Sequence, residues 1–574
     1  MFVGKEAAQM KKTWKILIGI SAFFAMTIAV MLIVSGIKSG HSAPPDLTAT
    51  PAQKPTTSAT GTPELTGTAN PVQPSETPTP VQKPTASPTP TAVPEADPLN
   101  PLWWACFKCS DVEISTYDEI KAQNRRLFDD PATVLHRPDE AGTFTYAELK
   151  NMICSAAFPN REYLDGKKLD DNGREEILRA RNLSFPETGN VEPVYAVATE
   201  NATLRSFPTA SRLTNDSGEF DYFQETGVYI GEPLVVLWKT VDGDWSYVYT
   251  LTYTGWVKST SYGFCDKSFF DEYCGFYFEG NRSERLETMC GTTVERGVAI
   301  AGTDFGTEKA SNELSNAAGT PSNTDPGASS EIGKGSAFDE TKQLYLRMGT
   351  YLPIICESGQ DKTGSDQDKS GFGQNESGSG QNKSGSETPA TGQTTVFVPC
   401  KDADGRLKFS GVKADGEKYR TIGEIKYSEK NIVEIAGRLM GTPYSWGDET
   451  QNGMDCSSTM AAVYRCFGMF LPRNTSDQLK ASIDGKDISG LDIAAKTTYI
   501  MERSAGTLLY FPGHVMMYLG EHNGRLYVLH NTTNITYEDG TAKKIMSCII
   551  STLGCGNGRQ TYLERLIQTL NIAE

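Results

Sequence analysis

Positive charge is in short supply: 54 Lys and Arg face 71 Asp and Glu, for a formal net charge of −17. Nucleic-acid binding rests on neutralising phosphates with Lys and Arg, so this balance argues against a nucleic-acid partner. Cysteine is thinly spread, 12 in 574 residues, which permits disulfides but falls far below the density of a small stapled scaffold. Cys106 and Cys109 have the spacing of half a zinc site. No second pair occurs at suitable spacing, so no metal and no other cofactor is expected. Histidine numbers only five. His41 and His136 have no partners in the sequence, and His522 falls at an expected hairpin tip, which leaves His514 and His530 as the informative pair.

Long apolar runs are also scarce, and the one present lies at residues 16–37. These 22 residues carry no charge, and at about 1.5 Å each they would reach roughly 33 Å, enough to span a bilayer. Lys5, Lys11, Lys12 and Lys15 precede the run and Lys38 alone comes closely after it. The positive-inside bias therefore predicts a cytoplasmic tail at 1–15, a single-pass membrane helix at 16–37, and extracellular localisation for the remainder of the chain. A cleaved signal peptide is the alternative, but the run exceeds the usual apolar region of about 7–15 residues. Residues 43–98 are Pro, Thr, Ala and Ser with almost no large apolar side chain, the composition of a disordered, extended stalk.

A chain of this length needs several domains. Residues 100–190 read as a mixed, partly helical module to which no chemistry attaches. Short strand-like runs rich in aromatics then fill 191–264, with Asp242-Gly243 placing a turn between two of them. The LRSFPT, GDWSYV and TGWV segments resemble the small bacterial SH3-type barrels attached to cell-wall enzymes. A second module of that kind is expected over 293–426, interrupted by disordered insertions at 303–335 and 357–392. The second insertion separates two strand-like runs, so it reads as a long loop inside one β module.

The chemistry lies in the last 140 residues. A Gly-containing loop ends in Asp455-Cys456-Ser457-Ser458, where an apolar-periodic helix begins. Cys456 at a helix N-terminus is expected to have its thiolate stabilised and its pKa lowered. His514 starts a strand 58 positions downstream, and His530 lies near the end of the next strand beyond an Asn523-Gly524 turn. Depending on register, His514 faces His530 or Asn531, and either would orient the imidazole so that it accepts the thiol proton. A cysteine at a helix start with a downstream strand histidine is the layout of a papain-like nucleophile and base.

The successive segments YSWG, MDCSS, LPRNTSDQ, GHVMMYLG and VLHNTT resemble the motifs of NlpC-type peptidoglycan cysteine peptidases. That resemblance implies Cys456 as nucleophile, His514 as base and His530 as its orienting partner, in a domain spanning 431–570. It places Tyr444 at the family's tyrosine, a donor to an oxyanion or a substrate contact. It also implies that Asp455 meets a substrate ammonium, with Ser457 and Thr475 as further polar contacts, although Asp455 and Ser457 are equally suited to capping the helix. The loop after Trp446 departs from the family pattern.

The expected architecture is thus multidomain: a single N-terminal transmembrane helix, SH3-like β-barrel modules, and a C-terminal α+β papain-like catalytic domain. SH3-type modules ahead of such a peptidase resemble the subgroup that cuts between D-glutamate and a diamino acid in stem peptides with a free N-terminal L-alanine. A membrane-anchored peptidoglycan endopeptidase is the leading expectation. Its alternatives are a catalytically silent wall-binding scaffold, and an amidase or acyltransferase using the same Cys-His pair.

Overall fold

A computed structural model describes residues 96–130, 133–216, 218–301, 303–305, 344–356, 393–447, 453–480 and 485–571. The expected tail (1–15), membrane helix (16–37), nearly all of the stalk, and the tract 357–392 lie outside these residues. No described helix is long and apolar enough to cross a membrane.

The helix Pro101–Phe107 opens the folded part, with Pro at its start and the Asn100 side chain accepting from the Leu102 amide. It buries Trp104 completely, and the indole N–H donates to the Pro98 carbonyl at 2.9 Å. A buried indole needs such an acceptor. Asn100 also donates its amide to the Asp97 carbonyl. The stalk boundary expected at 98 therefore falls slightly inside the folded unit. Helices Tyr117–Asp129, Tyr146–Ser155 and Asp171–Ala180 come next. A short hairpin, Tyr163–Leu164 with Lys167–Lys168, pairs onto Leu213–Thr214 of the next module.

Between Val194 and Cys265 seven strands form one antiparallel sheet, with Pro233–Lys239 and Trp245–Tyr249 flanking the expected turn. Gly243 takes a positive φ of 75° there, a conformation that favours glycine. A second, five-stranded antiparallel sheet holds Glu295–Ala299, Tyr351–Cys356, Gln393–Lys401, Leu407–Asp415 and Tyr419–Thr421. Tyr351–Cys356 and Gln393–Lys401 pair directly, so the two runs that flank the second tract are neighbours in one sheet. The other tract begins differently from expectation: Thr303–Phe305 is a strand whose backbone pairs with Leu344–Leu346.

The C-terminal module contains helices α1 (Glu429–Gly437), α2 (Cys456–Arg465), α3 (Thr475–Lys480), α4 (Ile493–Met501) and α5 (Tyr562–Arg565). Its strands are β1 (Gly485–Asp487), β2 (Leu508–Phe511), β3 (His514–His522), β4 (Arg525–Thr536), β5 (Ala542–Thr552) and β6 (Gln568–Leu570). They form one antiparallel sheet in the order β1-β6-β2-β3-β4-β5. Strand β3 is buried on both faces. Val515 and Met517 join a core with Met460 and Val463 of α2, while Met516 and Tyr518 join another with Tyr562 of α5.

Register is set by two features. Asn523 and Gly524 both have positive φ, 52° and 74°, as a two-residue hairpin turn requires. A bulge between Tyr518 and Gly520 then shifts the ladder, so that Met517 faces Leu529. Gly520 sits at φ 141°, and a Cβ there would meet the Trp104 ring at 2.6 Å. The bulge thus accommodates the N-terminal helix.

Candidate active site

Cys456 is the first residue of α2, and Asp455 is its N-cap. The Asp455 carboxylate accepts from the Ser458 amide at 2.9 Å while the Ser458 hydroxyl accepts from the Asp455 amide at 2.9 Å, a closed capping box. Asp455 has a second role. Arg473 grips it at both oxygens, Nη1 to Oδ1 at 3.1 Å and Nη2 to Oδ2 at 2.6 Å, with both side chains buried. Ser457 donates to Oδ1 at 3.1 Å and accepts from Arg473 at 3.0 Å. Burial would push the Asp455 carboxyl up, but the Arg473 guanidinium and these hydrogen bonds hold it below the usual range. Both oxygens of Asp455 are therefore engaged within the protein.

The sulfur of Cys456 is buried, 3.9 Å from the Thr475 hydroxyl at the start of α3. Burial, reinforced by the Asp455 charge, pushes the thiol up to about 11, against hydrogen bonding from the Val515 main chain and Thr475. The helix N-terminus alone predicts the opposite direction. Loss of water around the thiolate, with the neighbouring Asp455 charge, acts in the raising direction. His514 is displaced downward to about 3, by burial first and then by the positive charge of Arg565. At neutral pH the two groups therefore rest as thiol and neutral imidazole.

Val515, whose main chain reaches the sulfur, directly follows His514. The ring of His514 meets His530 at right angles, with Nε2 2.9 Å from His530 Nδ1. His530 is fully buried, and its Nε2 lies 2.9 Å from the Ser551 hydroxyl on β5. Carried along the ladder, the pairing of Met517 with Leu529 sets His514 opposite Thr532 rather than opposite either expected partner. His530 is then its diagonal neighbour on the same face, within reach of a long side chain. Asn531 points to the other face, where its amide donates to the Met454 carbonyl at 2.8 Å and holds the loop ahead of Cys456.

Tyr444 is half-buried, edge-on to Phe220 of the preceding β module at 5.9 Å. Burial, with the Cys456 and Asp455 charges, raises its pKa, so the hydroxyl stays a donor. The structure thus brings Cys456, Asp455, Ser457, Thr475 and Tyr444 into one neighbourhood, and joins His514 to His530 beside it.

Three participants escape a reading of the sequence. Arg473 lies within the LPRNTSDQ segment, and an acid next to a nucleophile calls for a nearby cation. Ser551 carries no signal, because only the strand order brings it behind His530. Glu225 belongs to the SH3-like sheet, yet its carboxyl is pushed up to about 7 by burial, opposed by Ser206 and Arg473. Next to it, Thr226 accepts from Arg473 Nε at 2.9 Å. One guanidinium therefore ties the β module to the cap of α2.

Residues 441–547 match the model of the NlpC/P60 family, and residues 209–258 match the SH3 domain of SH3b1 type. Among curated proteins, a dipeptidyl-peptidase 6 of Lysinibacillus sphaericus is 34% identical over 92 residues, 16% of this chain and 30% of that protein. A gamma-D-glutamyl-L-lysine dipeptidyl-peptidase of Bacillus subtilis is 30% identical over 107 residues, 17% of this chain and 32% of that protein. The chain thus spans about a third of the length of these relatives. A solved NlpC/P60 endopeptidase of Photobacterium damselae subsp. piscicida superposes with a TM-score of 0.55 over 84% of this chain and 98% of its own. Its 16% identity speaks to the fold alone. The chain thus carries a segment matching the SH3 domain of SH3b1 type at 209–258, followed by an NlpC/P60 domain at 441–547.

Proposed function

We propose that this protein is a cysteine endopeptidase of peptidoglycan stem peptides, anchored in the cell membrane by residues 16–37 with its folded modules outside the cell. The bond cut is the amide between γ-D-glutamate and a diamino acid. One observation carries the catalytic part: His514 Nε2 is occupied by His530 at 2.9 Å, which leaves Nδ1 as the nitrogen available to the thiol of Cys456.

The distances admit two assignments of this hydrogen-bond chain, and one of them leaves His514 Nδ1 able to accept the thiol proton. In that one, His514 Nε2–H donates to His530 Nδ1, and His530 Nε2–H donates to Ser551 Oγ. His514 Nδ1 then carries a lone pair. Because Cys456 rests as a thiol, the proton moves to Nδ1 as the sulfur attacks the substrate carbonyl. The Tyr444 hydroxyl and the N–H groups of the first turn of α2 are suited to receive the developing oxyanion. Imidazolium then protonates the leaving amine, the C–N bond breaks, and a thioester remains on Cys456. Water, deprotonated by His514, attacks the thioester, and the products are a carboxylate and the regenerated thiol.

Asp455, Ser457 and Thr475 line the acyl side of this site. A substrate ammonium reaching Asp455 would share its carboxylate with Arg473. Full-length protein in detergent should convert L-Ala-γ-D-Glu-diamino acid peptides to L-Ala-D-Glu and the free diamino acid product, read by mass spectrometry. Cys456→Ala should abolish the conversion. Undiminished turnover by that variant would reject the assignment, and binding of wall fragments without turnover would favour a scaffold.

A further inference from the structure

Beside His514 lies a cavity of about 520 Å³, whose lining includes His514 but neither Cys456 nor Asp455. The β2–β3 turn at Pro512-Gly513, the end of β4, the start of β5 and helix α5 enclose it. Its charged lining is of one sign: Arg565, Lys543 and Lys544, with no Asp or Glu among the lining residues. In a chain of net charge −17 such a patch is unusual. Asn534 and Asn557 add neutral polar groups.

Arg565 is positioned for a ligand. Its guanidinium carbon lies over the Phe511 ring, 4.0 Å from the centroid. Among the described residues no carboxylate forms an ion pair with it, whereas Lys544 is held by Glu219 at 2.6 Å. Lys543 is exposed at the rim.

The side of the site is set by the chemistry. The group that protonates the leaving amine must be within hydrogen-bond reach of it, so the departing residue lies against His514. A cavity walled by His514 and not by Cys456 is therefore where the departing residue rests. We propose that this cavity is a subsite for a carboxylate on the leaving diamino acid, gripped by Arg565 and assisted by Lys543. The carboxylate is either the α-carboxyl of that residue or a second carboxyl on its side chain. This inference rests on the endopeptidase reading.

Three peptides separate the cases: L-Ala-γ-D-Glu-L-Lys, its C-terminal carboxamide, and L-Ala-γ-D-Glu-meso-diaminopimelate with its α-carboxyl amidated. Full-length enzyme should cleave at least one carboxylate-bearing peptide with kcat/KM about tenfold above the lysine carboxamide, the scale of a charged hydrogen bond. Which of the two gains identifies the source of the carboxylate. Arg565→Gln should bring the ratio close to one. Lys543→Gln, at an exposed site that does not threaten folding, should lower the ratio about twofold, and 0.5 M salt should shrink it in the wild type. Equal cleavage of all three peptides by the wild type would overturn the subsite and leave the endopeptidase reading standing. Cleavage of none would reject that reading, and the subsite with it.

Discussion

Arg473 and Asp455 form a buried, two-point ion pair, Nη2 to Oδ2 at 2.6 Å, at the residue immediately before the candidate nucleophile. The same guanidinium donates through Nε to Thr226 in the SH3 domain. Removing one partner of a buried pair leaves the other charge without compensation, which costs about 3–5 kcal/mol. Arg473→Leu should therefore lower the urea midpoint sharply. Asp455→Asn in the same chain should recover part of the loss, because it removes the stranded charge. A double variant no more stable than Arg473→Leu alone would show that the pair is not the source.

His530 holds the His514 ring by one hydrogen bond and is itself held by Ser551. His530→Phe keeps the volume and removes the acceptor, so His514 loses both its orientation and its tautomer. Turnover should fall by about 10²–10⁴ in kcat, the range for loss of a positioned acid-base group, with little change in KM. Ser551→Ala should have a milder effect of the same kind. An equal fall in kcat for Thr532→Val would argue against a specific role for His530.

The resting thiol has a chemical signature. With Cys456 pushed up to about 11, only a small fraction is thiolate near neutrality. Alkylation of Cys456 by iodoacetamide, followed by peptide mass spectrometry, should speed up about tenfold per pH unit from pH 7 to 10. A resting thiolate–imidazolium pair would instead react at a rate that levels off well below pH 7.

Acid should destabilise the fold through two half-buried histidines, His136 and His514, and the buried His530. His136 and His514 are shifted down from 6.5 to about 4 and about 3, mainly by burial, and His530 is shifted down as well. Below pH 6.5 the unfolded chain takes up protons that the folded chain refuses. The neutral-histidine contribution is thus fully present above 6.5 and is lost as pH falls towards the folded values. Each such group contributes a slope of about 1.4 kcal/mol per pH unit. His136 lies against Tyr249, with ring centroids 5.3 Å apart, so His136→Phe should retain the packing. Its urea midpoint should fall less steeply than that of the wild type between pH 6.5 and 4. Parallel curves would show that His136 does not contribute.

The candidate nucleophile and base are legible from local signals: a capped helix start carries Cys456, and a strand start carries His514. Local signals leave the partner of His514 open between His530 and Asn531. The choice between them is made by a one-residue bulge beside Gly520, and that bulge answers to Trp104, more than 400 residues earlier in the chain. No window of sequence around the motif contains that information. The thiol's direction of shift is hidden for a similar reason. A helix N-terminus is visible in the residues that cap it, whereas exclusion of water depends on strands and on a neighbouring domain. Arg473 stands inside a family motif yet shows no role there, because its acid lies 18 positions away and only folding joins them.

The segment that opens the described part of the chain and the NlpC/P60 module are held together although they lie far apart in sequence. Trp104 rests against Gly520, and the Ser110 amide donates to Glu429 at 2.7 Å. Midway, Asn124 both donates to the Gly468 carbonyl and accepts from the Phe470 amide. These contacts hold residues 96–305 against 344–571 independently of the backbone that joins them. Loss of the peptide connection between them would leave the C-terminal module in place.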